Sequence, residues 1–280
     1  MRDSSPSKYT LLELSFADTD RILQYRHGEI FGAKFNLKGF NYPWILQSRE
    51  WSADERVLDV GSGYSPLPMH IAERYGCEVW SADDFGMGSD ESFWERQLDP
   101  HKHITSNPQV NFVLERLGDP LHSSLPENYF DCIYSASALE HVPEANIEEV
   151  WDHMDRLLRP GGELIHGLDM RMPTSRGLLS VCKATIVDWF FPLLPHSWRL
   201  KYAYYTPLSY ARLAFKPLGD LMVRRGWKIT VLKMIIDPAV VIEPIDWAFN
   251  RLVKDGLTDI PAQRVVSLLI HLRKLNPEAN

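Results

Sequence analysis

Between Arg56 and Asp169, short apolar runs alternate with stretches of helical period. RVLDV (56–60) is an apolar run around one aspartate and predicts a buried strand, and SPLPMHIAERYG after it predicts a helix with proline in its first turn. CEVWSA (77–82), VNFVLER (110–116), FDCIYSAS (130–137) and ELIHGLD (163–169) predict four more strands. SDESFWERQL, capped by Ser89 or Asp90, and EANIEEVWDHMDRLL, stopped by Arg159-Pro160-Gly161-Gly162, predict intervening helices. Strands separated by helices pair in parallel, which predicts a doubly wound sheet.

The flanks break this rhythm. The first 55 residues predict amphipathic helices: one capped by Asp18 or Thr19 and running to Tyr25, another opened by Tyr42-Pro43-Trp44 and running toward Glu50, with an irregular connection at 27–41. GLLSVCKATIVDWFFPLLP (177–195) is almost wholly apolar, but Lys183, Asp188, Pro192 and Pro195 argue against a transmembrane span and point to a buried helix or lid, with an interfacial or substrate-lining segment as the alternative. A helix that continues despite Pro217 and strands at 227–236 and 264–275 follow. The expected organisation is a helical cap at 1–52, a core at 53–170, a helical insertion or lid at 171–225 and two closing strands within 226–280. That makes seven strands.

A chain of 280 residues buries a full core without staples. Hydrophobic residues at 45% and charged residues at 24% argue against disorder, collagen and coiled coil. Cys77, Cys132 and Cys182 are too far apart for a CxxC pair, which argues against a disulfide framework or zinc knuckle. The opening residues carry no apolar signal-peptide run, so the cytoplasm is the expected compartment. Charge is uneven: residues 171–280 carry +8 and residues 1–170 carry −15 within a total of −7. The basic half is either a set of solvated helix faces or a surface toward an anionic acceptor, and peripheral membrane contact fits the second alternative. The negative total argues against nucleic acid as a partner.

Candidate chemistry concentrates in VLDVGSGYSP. A strand ends at Asp59, and Gly61 and Gly63 form a turn where backbone can approach a ligand that any Cβ would repel. A full dinucleotide fingerprint needs a third glycine three residues after Gly63. Pro66 stands there, which disfavours NAD or FAD. Asp83 lies 20 residues past Gly63 at the end of the next strand, where a carboxylate accepts hydrogen bonds from a ribose diol. A solvated Asp83-Asp84 turn is the competing reading. Gly118-Asp119 follows the third predicted strand, within reach of an adenine edge.

VLDVGSGYS, EVWSADD, the LGD turn, LPENYFDCIYSASALEHV and LLRPGGELI, in this order, resemble the class I S-adenosylmethionine-dependent methyltransferases over about residues 50–170. The strands at 227–236 and 264–275 are similar to that family's last two. The resemblance implies a Rossmann-like α/β fold with a mostly parallel seven-stranded sheet, and S-adenosylmethionine as cofactor. It implies that Asp59, Gly61, Ser62 and Gly63 hold the methionine part, Asp83 with Asp84 the ribose hydroxyls and Asp119 the adenine amine. Ser135 and Ala136 would run under the sulfonium. Two departures stand out. Pro120 follows Asp119 and has no N–H to donate. Some branches bind a metal through Glu-x-x-Glu-His, but this chain reads Ser137-Ala138-Leu139-Glu140-His141, one carboxylate short, so no metal site is expected.

Transfer to a hydroxyl also needs a general base. His141, after the fourth predicted strand, and His166, within the fifth, are the candidates, each weighed against an ordinary structural histidine, and Asp169 stands close behind. His101 and His103, beside Pro100, read as solvated loop. Acceptor recognition is expected from the N-terminal cap and from the segment holding Trp189, Phe190, Trp198, Arg199 and Tyr202, whose aromatics and cations suit an apolar or sugar-like group carrying negative charge. The expectation is a methyltransferase acting on a hydroxyl of a small molecule, glycan or lipid-linked acceptor. The alternatives are a non-catalytic binding module of the same fold and a nucleotide-dependent oxidoreductase.

Overall fold

The computed structural model describes residues 9–16, 38–85, 99–119, 121–139, 142, 146–171 and 265–276. The expectations for 17–37, 86–98 and 172–264, including the apolar 177–195 segment and the strand at 227–236, lie outside the described residues, as does His141. In chain order the elements are β1 (Tyr9–Phe16), α1 (Lys38–Gln47), β2 (Arg56–Val60), α2 (Leu67–Tyr75), β3 (Glu78–Ala82), α3 (Pro100–Ser106), β4 (Val110–Val113), β5 (Phe130–Ala136), α4 (Ile147–Leu157), β6 (Leu158–Arg171) and β7 (Val265–Lys274).

Among the described residues seven strands form one sheet in the order β1-β7-β6-β5-β2-β3-β4. β2 pairs in parallel with β3 and β5, and the outer pairs β3–β4 and β5–β6 are parallel too. β7 runs antiparallel to both β6 and β1. The strand order reverses at β2, so the crevice of a Rossmann-like sheet opens above the C-terminal ends of β2 and β5. The central strands read as near-continuous apolar runs because both faces are covered: Val57, Leu58, Phe130, Ile133, Leu164 and Ile270 are all fully enclosed. α1 packs on one face against β5 and β6, and α4 brings Trp151 against the other face.

Three expectations are corrected. Residues 9–16 are a strand, not part of a helical cap. Their partner, β7, lies some 250 positions away, and a β-bulge between Leu11 and Glu13 breaks the alternation that would have marked them. α1 begins at Lys38, so Pro43 sits inside the helix instead of opening it. The hydrogen bond lost there is offset by burial of Tyr42, Trp44 and Ile45. α4 ends at Leu157, just ahead of Arg159-Pro160-Gly161-Gly162 as expected, but the strand begins at Leu158 and not at Glu163. The Arg-Pro-Gly-Gly run is absorbed into β6, where the register jumps from Phe130↔Leu158 to Cys132↔Glu163, so five steps on β6 oppose two on β5.

Polar ties close the sheet's far side. The Tyr9 hydroxyl donates to Asp155 Oδ1 at 2.6 Å, and Lys274 Nζ donates to Leu158 O at 2.8 Å. Glu163 of β6 accepts from Arg273 Nη2 at 2.6 Å, meets His271 Nε2 at 3.0 Å and faces Arg49 Nη1 at 3.5 Å. Burial alone would raise the Glu163 pKa. The bonds from His271 and Arg273, with Arg49 nearby, outweigh it and hold the carboxyl at about 2.

Candidate functional site

β2 ends at Val60 and the chain turns at once. Gly61 takes φ +69°, and its N–H donates to Ala82 O at the end of β3, 2.9 Å away. A Cβ on Gly61 would lie 2.6 Å from Ala138 Cβ, so the position tolerates no side chain on steric or backbone grounds. Ser62 is buried with its Oγ 2.5 Å from Ser81 Oγ, tying the turn to β3. The Gly63 N–H donates to Asp83 Oδ2 at 2.7 Å, and the Phe85 N–H donates to Asp83 Oδ1 at 2.6 Å. Asp83 thus clamps the glycine turn to the segment after β3. Asp84 faces elsewhere: Arg116 donates to its Oδ2 through Nη2 at 2.6 Å and Nε at 3.0 Å. Two adjacent carboxylates treated alike in the sequence therefore separate into a turn clamp and an ion pair.

Asp59 is 2% exposed and pairs across the ladder with Tyr134 of β5. Burial, and then the Asp59 carboxylate, push the Tyr134 hydroxyl well above its ordinary pKa, so it stays protonated beside Asp59. Ser135 and His166 stand opposite each other on β5 and β6, with Ser135 Oγ 2.8 Å from His166 Nδ1. Both are fully buried, and Trp151 tilts against the imidazole at 5.6 Å. Among the described residues His166 Nε2 has no hydrogen-bond partner. The Nδ1–H tautomer donating to Ser135 leaves only an acceptor unfilled, the cheaper arrangement. Burial holds the ring at about pKa 3. A group so rarely protonated at neutral pH, and so enclosed, is poorly suited as a general base. Ser135 can meet a crevice ligand only through its main chain. Ala136, next to it, closes β5 and is 8% exposed.

Asp119 is not drawn into this group. Its carboxylate is 61% exposed and pairs with His122 Nδ1 at 2.8 Å, which lowers its pKa. The turn before it is better anchored: the Gly118 N–H donates to Nδ1 of buried His153 on α4 at 3.2 Å. His101 and His103 lie in α3, not in a loop, because Asp99 caps that helix by accepting from the His101 N–H at 2.9 Å. His101 is exposed, but His103 is half-buried among Tyr64, Phe85 and Phe112, with ring centroids 5.1, 6.2 and 5.4 Å away. Burial lowers its pKa.

One residue escaped the sequence pattern altogether. Asn41 of α1 is fully buried, and its Nδ2 donates to Ser137 Oγ at 2.9 Å, just past the end of β5. Nothing local marks it, because the contact depends on where α1 docks.

A cavity of about 570 Å³ lies at the opposite ends of the strands, lined by Arg49, Glu163, His271 and Arg273. Arg49, His271 and Arg273 all converge on Glu163 there, which makes these four a structural network rather than part of the crevice. Among the described residues no cluster of His, Cys, Asp and Glu could hold a metal ion, and no helix is long and apolar enough to cross a membrane.

Comparison with known proteins supplies the remaining observation. Residues 58–166 match the methyltransferase domain family. The sarcosine/dimethylglycine N-methyltransferase of Halorhodospira halochloris is 28% identical over 120 residues, 42% of this chain and 39% of that protein. The phosphoethanolamine N-methyltransferase of Plasmodium falciparum is 28% identical over 121 residues, 43% and 41% respectively. A sterol 24-C-methyltransferase of Gibberella zeae is 32% identical over 108 residues, 38% and 26%. The matches span about two fifths or less of these relatives. Among solved structures, Haemonchus contortus phosphoethanolamine N-methyltransferase 2, with phosphomonomethylethanolamine and S-adenosylhomocysteine, aligns over 92% of this chain and 57% of its own at 16% identity and a TM-score of 0.45.

Proposed function

Residues 58–166 form a class I S-adenosylmethionine-dependent methyltransferase domain, and from that premise we propose that the whole chain transfers a methyl group from S-adenosylmethionine to a hydroxyl of a small molecule. The observation that carries the cofactor part is the clamp: a side-chain-intolerant glycine turn whose N–H is held by the strand-end carboxylate of Asp83. In this reading Gly61, Ser62 and Gly63 hold the methionine part with Asp59 behind them. Asp83 accepts from the ribose hydroxyls, and the Ser135–Ala136 main chain forms the floor. Asp84 and Asp119, engaged with Arg116 and His122, contribute at the rim. When bound, the cofactor supplies an activated methyl on a good leaving group. The chain's task is to align it with the acceptor, an advantage that can reach ~7–11 kcal/mol.

A hydroxyl acceptor needs its proton removed. With His166 enclosed, His141 carries that role in the proposal, and His166 orients Ser135 instead. The acceptor is a small molecule, a glycan or a lipid-linked group, anionic in the variant that uses the basic 171–280 half. A second reading, an amine acceptor, is favoured by the enclosure of His166 and by the named activities of two relatives, since an unprotonated amine can attack without a base at the strand ends. Calorimetric titration with S-adenosylhomocysteine tests the cofactor reading, and absence of binding refutes it. Labelled methyl transfer to hydroxyl and amine panels, with wild type and His141→Ala, separates the two acceptors. Transfer to amines alone, unaffected by His141→Ala, refutes the hydroxyl reading.

A further inference from the structure

Asn41 sits at the junction of three segments that meet over the glycine turn. Its amide is fully buried in α1 and donates to Ser137 Oγ. Ser137 has φ +54°, a left-handed backbone that a non-glycine residue adopts only when its surroundings hold it there. Two bonds do so: the side-chain bond from Asn41 at 2.9 Å and the Ser137 N–H donated to Gly167 O at 2.8 Å. Gly167 gives the amide its room, because a Cβ there would stand 3.0 Å from Asn41 Cγ and Oδ1 and the Asn41 side chain would have to shift by a few tenths of an ångström. The next residue, Ala138, sets its Cβ 2.6 Å from where a Gly61 Cβ would be. A continuous run of contacts therefore joins Asn41 to Ser137, Ala138 and the glycine turn.

We infer that Asn41 is a positioning residue for the methyl-donor site: through Ser137 it fixes how closely the segment after β5 lies over the Gly61–Gly63 turn. It touches neither cofactor nor acceptor. The inference rests on the methyltransferase reading above, and it assigns to an N-terminal helix the control of a turn made by a different part of the chain. Loss of the Asn41–Ser137 bond lets Ser137 leave its left-handed conformation, so Ala138 no longer defines the wall of the turn.

The test measures S-adenosylhomocysteine affinity by calorimetry alongside urea unfolding for wild type, Asn41→Leu, Ser137→Ala and the double variant. Leucine keeps the shape of asparagine and removes its hydrogen bonding, and Ser137→Ala cuts the same bond from the other side. The expected result is about a tenfold loss of affinity in each single variant, the size of one hydrogen bond, and no further loss in the double. Folded single variants that bind as tightly as wild type overturn the inference, as does a double variant whose loss is the product of the two single losses. A purely structural role would lower the unfolding midpoint and leave the affinity of the folded protein unchanged. If Asn41→Leu does not fold, Ser137→Ala and Ser137→Gly carry the test alone, since neither changes α1. Wild type that does not bind S-adenosylhomocysteine refutes the methyltransferase reading instead, a different outcome.

Discussion

His166 makes the protein's stability depend on pH in a calculable way. The folded state holds the imidazole at about pKa 3 through burial, whereas an unfolded histidine titrates near 6.5. Above about pH 6.5 the ring is neutral in both states and contributes no dependence. Below it the unfolded chain gains a proton that the folded chain refuses, so stability falls with pH until about pH 3. At ~1.36 kcal/mol per pH unit, going from about pH 7 to about pH 5 costs about 2 kcal/mol from this one group. His103 and His153, also lowered by burial, act in the same direction, so the wild-type curve alone cannot isolate the effect. Urea unfolding of wild type and His166→Asn at both pH values does. Asparagine keeps a polar atom near Nδ1 and does not titrate. The variant is less stable at both pH values because Trp151 loses the ring it packs against, but its pH-dependent loss should be smaller by about 2 kcal/mol. Equal losses in the two proteins would mean that the imidazole is solvated or charged in the folded state, and the case against His166 as base would fall with it.

Gly61→Val should abolish S-adenosylhomocysteine binding and also destabilise the fold, since the left-handed backbone alone costs roughly 1–2 kcal/mol; calorimetry showing wild-type affinity would place the cofactor elsewhere. Asp83→Ala should weaken that binding about ten- to hundredfold, and Asp83→Asn, which keeps one acceptor oxygen, by less; equal affinities in folded variants refute the role. Glu163→Ala, which removes the acceptor of Arg273 and His271 and leaves Arg49 paired with Glu55 alone, should cost about 1.5–3 kcal/mol in urea unfolding. Because the folded state lowers the Glu163 pKa from 4.5 to about 2, its stabilisation is complete above about pH 4.5 and is lost toward about pH 2, a range that overlaps the lower end of the His166 window and continues below it.

The parallel core was legible because it is written locally. RVLDV and FDCIYSA are strands within a residue of their sequence bounds, since a strand buried on both faces must be an apolar run whatever its neighbours do. The glycine turn and Asp83 were legible for a related reason: the spacing of strand, turn, helix and strand fixes where a strand-end carboxylate stands. What failed was non-local. YTLLELSF becomes a strand only because β7 offers it an edge, and its bulge hides the alternation. Asn41 matters only where α1 docks on Gly167. Asp83 and Asp84 read as equivalent, yet Arg116, 32 residues beyond Asp84, draws one of them away. His166 could be recognised as enclosed only once Trp151 and Ser135 were seen against it.

β7 lies between β1 and β6, so the second-to-last position in the sheet is filled by a segment made some 250 residues after β1. At ~5–20 residues per second of synthesis, β1 waits roughly 10–50 s for a partner, and the edge of β6 that β7 covers, made later, stays open for roughly 5–20 s of that time. The parallel half can assemble earlier, because β2 to β6 are contiguous in the chain. Synthesis therefore exposes the β6 margin of the nascent core until the returning strand covers it. Unprotected margins recruit other chains, so the interval before closure is when the nascent chain is most open to mispairing. A translational pause placed between residues 171 and 265 would prolong that interval.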